Sequence, residues 1–422
     1  MHVDASLDID MITIHTHEEL CALIELRAPA APSSTARQPS TLVVVLDRSG
    51  SMSGPRIEHA KLALCELVDR LAPGDRFGLV TFDDRAEVPV PAAVVSDRAV
   101  VKQAIAGVST RGTTDLAAGY LRGLQEARRV AGPSGATVLL ISDGHANRGE
   151  TSADALASIA STSASQGVST SALGMGLGYD ETLLSAIARG GRGNELFAED
   201  ADAAGAQIAG EVEHLMSQSV QAASLLVTSS RHVQAVAVLN ELDSAMTPDG
   251  LLIELGGFYA EETRKLLLTF AVPGIEALGP VEVAGLQLRY VEMSSLEEHV
   301  VTIALHVDVV TGDKTAARIA NPAVTTEVAF QTAQRAKRSA NRNLVLGDPR
   351  AALGDLESAR SAVHEAMAAS PADVLSDLRE ESAVLDAMVR ETEFGSATRA
   401  SKLLSADVSH KSSKRGRRRP SS

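Results

Sequence analysis

Tryptophan is absent from the 422 residues, and all aromatics together make up only 3% of the chain. Any core must therefore be built from Val, Leu, Ile and Ala, and apolar residues at 45% are enough for a globular protein. Cysteine occurs twice, at Cys21 and Cys65, each within an apolar-patterned segment and in no metal-ligand or redox spacing. That excludes a disulfide scaffold and implies buried free thiols in a reducing compartment. No apolar run approaches ~18 residues, so no transmembrane helix is expected. The opening MHVDASLDIDM has no basic stretch followed by an apolar one, as a secretory signal would. A cytoplasmic location is the default expectation. Basic residues are the scarcer charge, 39 against 54 acidic, for a net charge of −15. Such an acidic body repels nucleic acid and anionic membranes over most of its surface. The exception is KSSKRGRRRP, with six basic residues between Lys411 and Arg419. It reads as a solvated tail or, more sharply, as a hook for an acidic partner or nucleic acid. The preference for Arg over Lys, with abundant Ala, is typical of GC-rich bacterial genomes.

The chain is long enough for two or three domains. From residue 41 strands and helices alternate: TLVVVL, then PRIEHAKLALCELVDRLAPG with Pro55 at the first helical position, then RFGLVTF. EVPVPAAVV reads as an edge strand because its prolines exclude a central one. ATVLLIS, VSTSALGMG and NELFA continue the strands, with helices between them and a closing helix to residue 216. This rhythm predicts an α/β domain over residues 40–216, with a doubly wound, mostly parallel sheet. Residues 218–325 hold strands without intervening helices, ending in VVTIALHVDVV with strict period two, and predict an antiparallel β-sandwich. Residues 5–30 look like a hairpin that joins this sandwich, so the α/β domain would be an insertion. Two apolar stripes predict a helical hairpin or bundle over residues 326–405 without a visible 34-residue repeat. A disordered basic tail over residues 406–422 completes the division.

Three loops leave carboxyl ends of the parallel strands, where open α/β sheets bind ligands. VVVLDRSGSMSG offers Asp47, Ser49 and Ser51 in alternation, so an extended loop turns them the same way. TRGTTD offers Thr113, Thr114 and Asp115, and LLISDGHANRG offers Asp143, with His145 as the one nitrogen donor. Hydroxyl and carboxylate oxygens are hard ligands suited to Mg²⁺, Mn²⁺ or Ca²⁺. A shell of neutral hydroxyls cannot complete ~6-fold coordination alone. Asp47 and Asp143 can hold waters and orient the hydroxyls. The ion still attracts an anion, and a carboxylate from another protein is the natural one.

DRSGSM, the Thr of GTTD and the Asp of LISDG resemble the metal-ion-dependent adhesion site of von Willebrand factor type A domains, whose pattern is Asp-x-Ser-x-Ser with a distant Thr and a distant Asp. The resemblance covers roughly residues 40–216. It implies Asp47, Ser49, Ser51, Thr114 and Asp143 as the metal site, Thr114 being chosen because the family places its Thr directly before an Asn or Asp. It further implies a non-catalytic module in which a divalent ion, Mg²⁺ by abundance, bridges to an Asp or Glu of a partner. Coordination in such modules can couple to movement of the last helix. The surrounding sandwich and helices resemble bacterial cytosolic members of larger architecture.

Duller readings stand beside this one. Ser and Asp before a helix are routinely caps, and Ser53 ahead of Pro55 fits that role. A scaffold whose sandwich and helices carry the interaction, with a vestigial metal site, is the main alternative. A phosphotransfer enzyme with Asp47 as nucleophile is the distant third, because Ser49 stands where a general acid is needed. GSMSG misses the Ser-hydrolase elbow and GMGLGY misses the dinucleotide fingerprint. His145 reads as a plain loop residue, Asp83-Asp84 as a solvated turn and RAKRSANR (335–342) as the wet face of a helix.

Overall fold

The computed structural model describes residues 1–30, 39–144, 146–313, 318–370 and 375–413. They divide into two units, one running to Ser219 with the short segment Met293–Leu296, the other formed by Met1–Ala30, Val220–Glu292 and the described residues from Glu297 to Ser413. The chain opens with β1 (His2–Leu7), β2 (Met11–Thr13) and β3 (Glu18–Arg27). The α/β unit follows: β4 (Thr41–Asp47), α1 (Pro55–Arg70), β5 (Arg76–Phe82), β6 (Ala86–Val94), α2 (Arg98–Ala106), α3 (Leu116–Val130) and β7 (Ala136–Ser142). It closes with α4 (Ala153–Ser165), β8 (Val168–Met175), α5 (Glu181–Gly190), β9 (Arg192–Ala198) and α6 (Ala201–Met216).

Its sheet has the order β6-β5-β4-β7-β8-β9, parallel except for the antiparallel edge strand β6. β4 is buried along its whole length because helices cover both faces. Leu42, Val44 and Leu46 join one core with Ile57, Leu64 and Leu67 of α1. Val43 and Val45 join the opposite core with Tyr120 and Leu124 of α3. α3 lies close on the sheet because two glycines face it. A Cβ at Gly119 would stand 2.4 Å from the Phe82 ring, and one at Gly123 would stand 2.2 Å from Val45 Cγ2. At the far side α6 is held by a buried clasp: Glu211 accepts from Asn194 Nδ2 at 2.6 Å and from Ser171 Oγ at 2.6 Å.

The second unit continues with β10 (Gln218–Ser229), β11 (Ala235–Val238), β12 (Ser244–Thr247), β13 (Gly250–Tyr259), β14 (Thr263–Val272), β15 (Gly279–Glu292) and β16 (Glu298–Val310). Two sheets, β1-β3-β14-β11 and β12-β13-β10-β15-β16-β2, enclose one core that includes Ile24, Leu268, Leu225, Leu288 and Val307. The α/β unit is thus inserted in a β-sandwich. The opening segment is more than the expected hairpin. β1 and β3 pair antiparallel, while β2 crosses to the other sheet and runs parallel to β16. Buried Ile12 anchors that crossing, and the chain turns back at His15 with a left-handed φ of 61°.

Among the described residues four helices follow, α7 (Pro322–Val345), α8 (Pro349–Ala369), α9 (Leu375–Phe394) and α10 (Ala397–Ser413), where two apolar stripes predicted a hairpin or bundle. Two expectations are corrected here. RAKRSANR is not wholly a wet face, since Lys337 is fully buried and ion-paired to Glu381 and, at 2.8 Å, to Asp407. The tail does not begin at residue 406, because α10 continues to Ser413 and Lys411 Nζ lies 2.7 Å from Glu381 Oε2. Burial pushes the Glu381 carboxyl up, but the two lysines outweigh it and hold it below its ordinary range. The remainder of the tail, from residue 414, lies outside the described residues. No described helix is long and apolar enough to cross a membrane. The glycine contact of α3 is open to test. Gly123→Val should cost about 1–3 kcal/mol by overpacking against Val45, measured by urea denaturation; an unchanged midpoint would show that α3 can retreat from the sheet.

Candidate metal centre

The chain leaves β4 to its neighbour β5 on one side and reaches β7 on the other, so the direction of winding reverses between β4 and β7. Side chains at the carboxyl ends of these two strands flank the crevice that such a reversal opens. Asp47 ends β4 and Asp143 directly follows β7.

Asp47 is fully buried. Its Oδ1 accepts from the backbone N–H of Ser49 at 2.7 Å, and its Oδ2 accepts from Ser142 Oγ at 2.7 Å. Burial pushes this carboxyl up to about 6; hydrogen bonds from Ser142 and Ser49 oppose the shift, and the nearby charge of Asp143 adds to it. Ser49 Oγ lies 3.0 Å from Ser51 Oγ, which donates to Asp143 Oδ1 at 2.7 Å. Ser51 is solvent-exposed, whereas Ser49, Thr114 and Asp143 are buried, so the cluster opens on the Ser51 side.

Thr114 joins through a gap. Gly144 has no Cβ, but one built there would lie 3.5 Å from Ser51 Oγ and 3.7 Å from Thr114 Oγ1. The two hydroxyls face one small space that only a glycine leaves empty. Loop contacts hold them there: Gly50 N donates to Gly112 O, Arg111 N to Arg48 O, and Thr114 N to Asn147 Oδ1 at 3.1 Å. Asp115 is spent as the cap of α3, accepting from Ala118 N. All five expected residues thus lie around one crevice, four of them in a continuous hydrogen-bonded chain.

Capping does not account for the loop. Ser49 makes no side-chain cap bond to the short turn Gly50–Met52, and α1 is preceded by Gly54 at a positive φ of 83°, also without a side-chain cap. Ser53 instead shares a hydrogen bond with Thr110 Oγ1 at 2.8 Å. The expected solvated turn at Asp83 is corrected as well. Asp83 is fully buried and paired with Arg48 at 2.9 Å and Arg111 at 2.7 Å. Burial raises its carboxyl, but these arginines and the N–H of Arg85 bring it below its ordinary range. His145 lies outside the described residues.

Three contributors escaped the sequence reading. Ser142 positions Asp47, Asn147 positions Thr114, and Arg56 Nη1 forms an ion pair with Asp143 Oδ2 at 2.6 Å. Ser142 carried a usable signal, since it directly precedes Asp143 at the end of a buried strand. Among the described residues, no cluster of three His, Cys, Asp or Glu side chains is placed to hold a metal. Any ion taken here would therefore rest on hydroxyls, which fits a hard dication and disfavours a soft one.

Residues 41–210 match the von Willebrand factor type A domain family. The chain is 26% identical over 289 residues to the uncharacterized protein sll0103 of Synechocystis, an alignment covering 64% of this chain and 65% of that protein. It is 29% identical over 185 residues to human inter-alpha-trypsin inhibitor heavy chain H4, covering 41% of this chain and 20% of that protein. The chain therefore spans less than two thirds of either relative. Two solved structures match across almost the whole length. A von Willebrand factor type A protein from Catenulispora acidiphila has a TM-score of 0.75 at 18% identity, over 99% of this chain and 97% of that one. The ArnB paralog VWA2 from Sulfolobus acidocaldarius has a TM-score of 0.67 at 14% identity, over 99% of each chain. Likeness at such identity establishes a shared fold.

The raised Asp47 carboxyl has a consequence for stability. The folded chain keeps this proton up to about pH 6 and the unfolded chain only to 3.8, so stability is lost as pH rises through that window. Asp47→Asn should therefore stabilise the chelated protein by about 1–3 kcal/mol above the window. The gain should vanish as pH falls below 3.8, where both states carry the proton. Urea titrations in EDTA across this range would check it, and a pH-independent difference would contradict it.

Proposed function

We propose, from the premise that residues 41–210 form a von Willebrand factor type A domain, that this domain holds a divalent cation and presents it to a carboxylate of a partner protein. Ser49, Ser51 and Thr114 would supply hydroxyl ligands, with Asp47 and Asp143 acting through the hydroxyls and bound waters. The observation that carries the reading is the 3.0 Å between Ser49 Oγ and Ser51 Oγ. Adjacent ligands of an octahedral Mg²⁺ at 2.0–2.1 Å stand ~2.9 Å apart, so the two hydroxyls fit neighbouring positions around such an ion. The pair thus suits Mg²⁺, or Mn²⁺ of similar preference, without rearrangement, and the Gly144 gap leaves space beside it. A dication on neutral hydroxyls keeps Lewis acidity for an anionic oxygen. Exposed Ser51 marks the side from which a partner's Asp or Glu would approach.

The reading is non-catalytic. Both oxygens of Asp47 are engaged and the residue is sealed from solvent, so it is poorly placed to attack a phosphoryl group. The two free cysteines, Cys21 and Cys65, support a reducing, cytoplasmic setting. The acidic body argues against nucleic acid and anionic membranes as partners.

Mg²⁺ at about a hundredfold its Kd should stabilise the chain by ~2.7 kcal/mol, and Asp47→Ala should remove that response while the circular dichroism spectrum stays native. A preserved Mg²⁺ response in this variant would overturn the assignment. Proteins captured on the full chain should be released by EDTA. Retention in chelator would place the interaction on the sandwich or the helices instead.

A further inference from the structure

The geometry points to Arg56 as a tethered cation that competes with the metal for Asp143, so that loading the site requires the guanidinium to let go. This inference rests on the metal-site reading above and deepens it.

Arg56 is the second residue of α1, and its side chain folds back over the serine loop. Nη1 donates to Asp143 Oδ2 at 2.6 Å and to the Ser51 carbonyl at 3.2 Å. The other oxygen, Oδ1, accepts from Ser51 Oγ at 2.7 Å. Both oxygens of Asp143 are therefore committed, one to a ligand hydroxyl and one to a full positive charge. Space for the guanidinium comes from Gly176. This residue is left-handed, with φ 72°, and a Cβ there would lie 2.8 Å from Arg56 Nη2. The other guanidinium groups of the loop are engaged elsewhere, Arg48 and Arg111 with Asp83 and Glu87. Arg56 is thus placed on the one carboxylate that a metal needs from the β7 side.

The two partners differ in freedom. The Asp143 side chain has no solvent exposure, while that of Arg56 is 41% exposed. The carboxylate is fixed, and the arginine can swing into water by rotating its own stem. A dication at the Ser49–Ser51 pair meets a +1 charge bonded to the same carboxylate that must help neutralise it, and the two cations repel. Metal binding therefore exchanges one ion pair for another. Asp143 is already charge-paired without metal, and the exchange raises the cation concentration at which the site fills.

Isothermal titration of MgCl₂ into the full chain, with the parent, Arg56→Gln, Arg56→Lys and Asp47→Ala compared, tests this. Arg56→Gln should bind Mg²⁺ about tenfold more tightly than the parent. Arg56→Lys keeps the charge and should stay within about twofold, which separates repulsion from a simple loss of packing. Asp47→Ala should give no binding heat. Parent binding that is lost in Asp47→Ala, with Arg56→Gln no tighter than the parent, would sink the role of Arg56 and leave the metal site standing. Absence of binding heat in the parent and in both Arg56 variants would overturn the metal site and this inference together.

Discussion

A carboxylate sealed from water at the end of β4 sets the terms for everything around it. Asp47 can remain there only because each of its oxygens is met, one by the N–H of Ser49 and one by the hydroxyl of Ser142. The first contact turns the chain sharply after the strand and aims the two serine hydroxyls. The second ties β4 to β7 where the winding of the sheet reverses. Without that pair of bonds the serine loop would have no fixed direction, and Asp143 would have no hydroxyl delivered to it. Even with them the burial of charge is incompletely offset, as the raised carboxyl attests. Destabilisation kept at one point of an otherwise well-packed sheet is characteristic of a site retained for use.

The hydroxyls explain why this crevice favours one kind of chemistry. Neutral oxygen ligands around a hard dication leave much of its charge uncompensated, so the ion remains attractive to an anion. Glycines supply the remaining shape. Gly144 keeps the space between Ser51 and Thr114 open, and Gly119 and Gly123 let α3 approach the sheet, with Thr114 just ahead of its capping residue Asp115.

Much of the architecture was legible because burial leaves a periodic trace. TLVVVLD reads as a strand covered on both faces, and its residues do alternate between two cores. The odd positions from Val301 to Val309 alternate with exposed even ones, as the period-two pattern required. Contacts made at long range were less legible. Whether Lys337 is wet depends on Glu381 and Asp407, 44 and 70 residues away. Whether Asp83 is solvated depends on Arg48 and Arg111, and no local pattern announces such pairs. The passage of β2 into the second sheet rests on three residues, too few for periodicity to register. At the candidate site, loop ends and residue types pointed to the five side chains that the fold gathers around one crevice. Arg56 and Asn147 act through geometry that only the folded chain supplies.

The clasp on α6 bears on how far a signal from the crevice could travel. The Glu211 carboxylate is buried and receives donors from two neighbouring strands, Ser171 on β8 and Asn194 on β9. A downward slide of this helix by even one turn would pull that anion off its donors and leave them stranded in apolar surroundings, a forfeit of several kcal/mol. Ratchet-like piston motion is therefore opposed from within. Any displacement of the closing helix must first give up this buried anchor.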